Sequence, residues 1–325
     1  MLKTLSLVVL MGTGFIPAIY LSSLFRANLA IRMIHPKLSL KSTKPRNSKS
    51  NCKMPEGPEV HREADKIRNA IGGQSPIYTY FYHDHLKPFE SDLTGKQVEN
   101  VEAYGKGLVI SFEDDFHVYS HNQLYGKWYI KPAGEYPKTN RELRLEIRTD
   151  QKSALLYSAS EIDVMDSVSL HEHPYLTKLG PDLLKGVEHD TIAERTVEEQ
   201  FRRKSFASLL LDQGFLSGVG NYLRTEILYD ARIHPKKRPM DLSDESIETF
   251  SKSALTITGR SYETGGITTP NELAMKLKSE GKKRRDYRHY LFGREDKPCH
   301  VCGSSIQKSK MSGRRIYICD TCQKK

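Results

Sequence analysis

Cys299-x2-Cys302 and Cys319-x2-Cys322 constrain the C-terminal part of this chain more than any other feature. Two knuckles enclosing sixteen residues present four thiolates at the spacing of a closed tetrahedral site, which suits one structural zinc ion. The fifth cysteine, Cys52, lies far upstream, so the pattern is metal spacing rather than a disulfide framework and fits a reducing compartment. The enclosed segment 306–318 reads as a hairpin turning near 311–315, with Arg314 and Arg315 at its tip. A clamped arginine at a hairpin tip is suited to meet phosphate or enter a groove.

Charge divides the chain at Met54. Residues 1–53 hold nine basic residues and no acid; the remaining 41 Lys and Arg face 40 Asp and Glu. The formal net charge of +10 therefore belongs almost wholly to the extension and carries no argument for a nucleic-acid partner. The basic excess from Gly281 onward does, because 13 cations meet four acids there, as a local phosphate-binding surface would require. For the extension three readings are open. Residues 4–25 are uncharged and long enough to span a bilayer, the acid-poor composition fits an organellar leader, and Met54 is itself a natural start. The third is preferred, for a chemical reason.

Translation from Met54 and removal of that methionine leaves Pro55 with a free secondary amine. Such an amine can attack an aldehyde-like carbon and form an iminium that has no N–H proton to lose, while the adjacent Glu56 supplies protons. Within a peptide bond the same nitrogen is not nucleophilic. The expected location is accordingly cytoplasmic, and no membrane partner is expected for that form; organellar targeting would follow from a genuine leader.

After Pro58 the spacing of Val60, Ala64, Ile67 and Ile71 predicts a helix ended by Gly72-Gly73. Period-two alternation then predicts strands at 77–82, 97–104, 108–112, 117–121, 127–131, 143–148 and 154–157, the pattern of an antiparallel sandwich or barrel. From about Pro181 the texture is helical: 191–211, a break at Gly214, Gly218 and Gly220, then 222–231 and 244 to about 257, with a Gly-, Thr- and Lys-rich loop leading to the cysteines. Helix, glycine-rich turn, helix is in outline a DNA-backbone reading unit. Taken alone, Lys106 between Gly105 and Gly107 reads as an exposed turn lysine, and Leu124 as a strand end packed into a core.

Together, Pro55-Glu56-Gly57-Pro58-Glu59, Gly220-Asn221-Tyr222-Leu223-Arg224 and the four cysteines resemble the Fpg/Nei DNA glycosylases, and among them the endonuclease VIII (Nei) branch, from Met54 to the last knuckle. The resemblance implies an α+β multidomain protein: a catalytic antiparallel β-sandwich domain at 54–180, a helix–two-turn–helix DNA-binding domain at 181–280 and a zinc finger at 281–325, with 1–53 outside the functional protein. It implies catalytic roles for Pro55, Glu56, Lys106 and Arg314, with Arg315 a rival for the last. It implies DNA contacts from Asn221, from Lys178 (a point charge rather than a fork), and from Gln123, Leu124 and Tyr125, the wedge that fills the gap left by a flipped base.

The expected partner is double-stranded DNA with oxidised bases or abasic sites, bound by a monomer. The expected activity is base-excision repair: glycosylase and AP lyase action on oxidised pyrimidines through a proline iminium, with β,δ-elimination. An 8-oxoguanine/formamidopyrimidine glycosylase of the same family is the alternative, as is a non-catalytic DNA-binding protein if residues 1–53 stay attached.

Overall fold

The computed structural model describes residues 55–324; the Met54 start and the extension, with every reading placed on them, lie outside the described residues. Glu56, extended at φ −110° and ψ 178°, caps α1 (Gly57–Ile71), and its backbone N–H donates to the Glu59 carboxylate at 3.2 Å. Val60, Ala64, Ile67 and Ile71 are all buried, as their spacing requires, and Gly72 ends the helix by donating to the Arg68 carbonyl at 2.8 Å.

The buried face of α1 joins a core made by two antiparallel sheets. One has the order β1-β6-β7-β5 and the other β2-β3-β4-β8. The strands are β1 (Tyr78–Phe81), β2 (Val98–Tyr104), β3 (Gly107–Phe112), β4 (Phe116–His121), β5 (Lys127–Pro132), β6 (Leu143–Arg148), β7 (Lys152–Tyr157) and β8 (Glu161–Met165). Phe81, Leu145, Ile147 and Leu156 of the first sheet meet Val101, Leu108, Ile110 and Val118 of the second. The expected strands are present within a residue or two of their ends, and the sandwich is correct. β8 escaped the sequence reading because only Ile162 of its five residues is fully buried. Short helices α2 (Phe89–Leu93) and α3 (Ser167–Glu172) fill connections.

The second half departs more from expectation. The stretch 191–211 is not continuous but forms α4 (His189–Val197), α5 (Glu199–Arg202) and α6 (Phe206–Leu209). Tertiary pairing explains one break: the N–H groups of Phe206 and Ala207 donate to the Lys237 and Pro235 carbonyls, both at 2.9 Å, instead of to the preceding turn. After α7 (Asn221–Asp230), α8 runs from Asp244–Glu263, six residues beyond the expected end. Its last turn is held against α1, where the Tyr262 hydroxyl donates to Asp65 at 2.6 Å. The expected loop before the cysteines contains α9 (Asn271–Ser279) and α10 (Arg284–Tyr287).

The terminal hairpin is as expected: β9 (Gln307–Met311) and β10 (Arg314–Ile318) pair antiparallel around Ser312 and Gly313. Both turn residues have positive φ, 51° and 74°, as a tight two-residue hairpin turn demands. The hairpin is no appendage. Ile316 and Ile318 are buried in the same cluster as Phe206, Phe215, Leu223 and Phe250 of the helical layer. Ile316→Ala should therefore cost about 2–4 kcal/mol, read as a lower urea midpoint, with metal content unchanged because Ile316 packs into the helices and not around the thiolates.

Candidate active site

Glu56 sits where two helices from different parts of the chain begin. Capping α1 aims its side chain at the N-terminus of α7, where its carboxylate accepts hydrogen bonds from the backbone N–H groups of Gly220 at 2.9 Å, Tyr222 at 2.8 Å and Leu223 at 3.1 Å. Positive helix ends and unpaired N–H groups attract a carboxylate. Burial opposes this and wins: it raises the Glu56 pKa to about 7, although the Lys106 charge and the amide donors pull downward. Only glycine fits at 220, since a Cβ there would lie 2.4 Å from the Glu56 carboxyl carbon. Gly57 donates to the Gly218 carbonyl at 2.8 Å, which draws the two backbones together beside the half-buried Pro55.

Lys106 is not the exposed turn lysine that its position suggests. Gly105, at φ 60°, turns β2 into β3. The Lys106 N–H then donates to the Tyr175 hydroxyl at 2.9 Å, and its ammonium to the Val219 carbonyl at 2.7 Å. Burial lowers its pKa to about 8; the Glu56 carboxylate raises it and the Arg314 charge lowers it further. Leu124 is likewise not packed into a core. It is 44% exposed and lines, with Glu56, Lys106, Asn221, Arg314 and Arg315, a cavity of about 310 Å³. Its neighbour Tyr125 is 62% exposed, and Gln123, at φ 47°, donates to the Glu161 carboxylate at 2.8 Å.

Both arginines of the hairpin thus reach the cavity, and the charge of Arg314 is the one felt by Lys106. Lys178 is not brought there; it is exposed and lines a separate basin of about 910 Å³ with Arg195, Lys204 and Gln213.

No role was expected for Arg224, although it ends the motif that begins at Gly220. It is fully buried. Its guanidinium donates to Asn221 Oδ1 at 2.7 Å, to the Ala207 carbonyl at 2.6 Å and to the Arg315 carbonyl at 3.1 Å. It thereby fixes the asparagine amide and the hairpin together, and burial lowers its pKa to about 10. Glu59 was also missed as a tie: it accepts from the Tyr222 hydroxyl at 3.0 Å and pairs with Arg288 at 3.3 Å.

The four sulfurs of Cys299, Cys302, Cys319 and Cys322 all lie within 4.8 Å of one another. Cys302 and Cys319 are 3.4 Å apart and Cys299 and Cys322 4.0 Å apart. A tetrahedral site with metal–sulfur bonds of about 2.3 Å has edges of about 3.8 Å, so the cluster fits a metal ion. The Tyr229 hydroxyl lies 3.1 Å from the Cys299 sulfur and can donate to it.

Residues 54–160 match the formamidopyrimidine-DNA glycosylase N-terminal domain, and residues 179–272 the formamidopyrimidine-DNA glycosylase H2TH domain. Endonuclease 8 of Pectobacterium atrosepticum is 40% identical over 271 residues, covering 83% of this chain and 100% of that protein; endonuclease 8 of Escherichia coli gives the same figures. Lactococcus lactis Fpg in complex with abasic-site DNA shares the fold, with a TM-score of 0.68 at 24% identity over 83% of this chain and 100% of that one. With both domain models matched and this identity across the whole length of those relatives, the chain belongs to the Fpg/Nei family of DNA glycosylase/AP lyases.

Proposed function

We propose that this base-excision-repair glycosylase removes oxidised pyrimidines from duplex DNA through an iminium on Pro55. The observation that carries the reading is Glu56: a buried carboxyl with a pKa near 7, adjacent in sequence to Pro55, in a cavity lined by Lys106 and Arg314. Duplex DNA is bent and the damaged nucleotide extruded, which costs least where stacking and pairing are already weak. Leu124 and its neighbours occupy the vacated stack. The Pro55 nitrogen attacks C1′, and the base departs with the electrons of its bond to C1′ and takes up the proton that the amine loses. Glu56 protonates the sugar ring oxygen as the C1′–O4′ bond breaks, leaving C1′ as a proline iminium. The iminium acidifies C2′, and successive β- and δ-eliminations cut both sides, with Lys106 and Arg314 holding the phosphates. Gln123-Leu124-Tyr125, in the Nei pattern, and two relatives named endonuclease 8 favour pyrimidine lesions. The fold alone does not separate the branches, since L. lactis Fpg has itself been solved with DNA containing an oxidised pyrimidine; a lesion panel with thymine glycol against 8-oxoguanine does.

The functional form begins at Pro55, acts as a monomer and is located with the DNA. The start at Pro55 alone is supported by the comparisons: the N-terminal domain match begins at residue 54 and the endonuclease 8 relatives are covered in full by 271 residues. The four thiolates hold one zinc ion, which contributes rigidity to the hairpin that presents Arg314 and no chemistry of its own.

Borohydride should trap protein starting at Pro55 on thymine-glycol duplex, with the adduct at Pro55. A full-length chain whose Met54 start is disabled should bind DNA but give no adduct; equal trapping by both forms, or an adduct at Lys106, rejects the proline amine. Glu56 must be protonated to act as the acid, so base release should be insensitive to it below pH 7 and fall about tenfold per unit above. Glu56→Gln should abolish that limb together with most base release. Metal analysis should find one zinc per chain. Arg314→Ala should keep that zinc and the folded state while slowing strand cleavage about a hundredfold; a larger loss in Arg315→Ala would transfer the role to its neighbour.

A further inference from the structure

The loop that carries Leu124 begins at Asn122 and ends at Gly126, and its ends are closed by the Gly126 N–H donating to the Asn122 carbonyl at 2.7 Å. Only glycine fits that closure, because a Cβ at 126 would lie 2.6 Å from the Asn122 Cα. Asn122 is 6% exposed, so its side chain points inward while Leu124 and Tyr125 point out. Its amide nitrogen donates to the Glu63 carboxylate at 2.5 Å. Its Oδ1 has no partner among the described residues, so Glu63 alone fixes the amide. Glu63 lies on α1, seven residues after Glu56, which is two helical turns. Burial raises its pKa to about 7, with Asn122, Lys66 and Lys127 opposing and Glu59 assisting. A carboxyl kept at such a cost, touching a loop root rather than the cavity, calls for a role.

We infer that Glu63 is a positioning residue that holds the Asn122–Gly126 loop, and with it Leu124, at a fixed distance from Glu56 along α1. The helix then acts as a ruler. One end carries the acid that serves the extruded nucleotide, and two turns on it sets where the stack is filled. This inference rests on the wedge reading of Gln123, Leu124 and Tyr125 proposed above.

The test compares Glu63→Ala, Glu63→Gln, Asn122→Ala and Leu124→Ala, all translated from Met54, on thymine-glycol duplex with 2-aminopurine beside the lesion. Single-stranded DNA with a preformed abasic site, which has no stack to fill, is the second substrate. Glu63→Ala should lower base release from the duplex about tenfold, as expected for loss of one hydrogen bond to a charged group. It should also reduce the 2-aminopurine signal, yet leave cleavage of the single strand within about twofold. Glu63→Gln keeps an acceptor for Asn122 and should restore both duplex readouts. Asn122→Ala, which needs no change on α1, should reproduce Glu63→Ala even if the latter folds poorly. Adding Glu63→Ala to Leu124→Ala should have no further effect, because the two act through one insertion. Additive losses, or an equal loss on the single strand, overturn the inference while leaving the wedge reading intact. A Leu124→Ala protein with unchanged duplex excision and fluorescence removes the wedge reading itself, and this inference with it.

Discussion

The site depends on one buried carboxylate that completes a helix to which it does not belong. Glu56 ends the extended entry to α1 and supplies the acceptor for three N–H groups at the start of α7, 164 residues and more downstream. Each of those amides would otherwise be a buried donor without a partner, at a cost of about 1–3 kcal/mol. One side chain therefore joins the sandwich to the helical layer and, raised to a pKa of about 7 by burial, can hold or release a proton near neutrality. The glycines follow from it: Gly220 must admit the carboxyl, and Gly57 and Gly218 must let the two backbones touch.

The electrostatics around this contact are balanced rather than strongly biased. Glu56 is raised and Lys106 lowered mainly by burial, and each moderates the other. Both approach neutrality near physiological pH from opposite directions, the condition under which small changes in surroundings exchange protons. Arg314 enters this balance from the hairpin, and its distance is set by Arg224 from behind.

Much of this was legible in the residues. The α1 face, the strands and the hairpin turn follow from periodicity and glycine placement, and the cysteine spacing specified the cluster that forms. Pro55, Glu56, Lys106, Leu124, Asn221 and both hairpin arginines were singled out; apart from Pro55, which directly precedes Glu56, all of them line one cavity. What was not legible depends on contacts distant in sequence. The break before Phe206 exists because the 235–237 segment offers better acceptors. The last turn of α8 exists because Tyr262 finds Asp65. Arg224, Glu63 and Asn122 look like ordinary polar residues until the fold encloses them. Lys178, chosen by resemblance alone, lies on a different hollow.

Arg224 grips the hairpin through the Arg315 backbone carbonyl, not through a side chain. That oxygen is present whatever amino acid occupies position 315. The side chain at 315 can therefore be exchanged without loosening the mount, whereas Arg224 and the inward Ile316 and Ile318 hold it in place. The bracket is thus built from main chain and buried side chains, and the work of the tip is left to the exposed side chains that it carries.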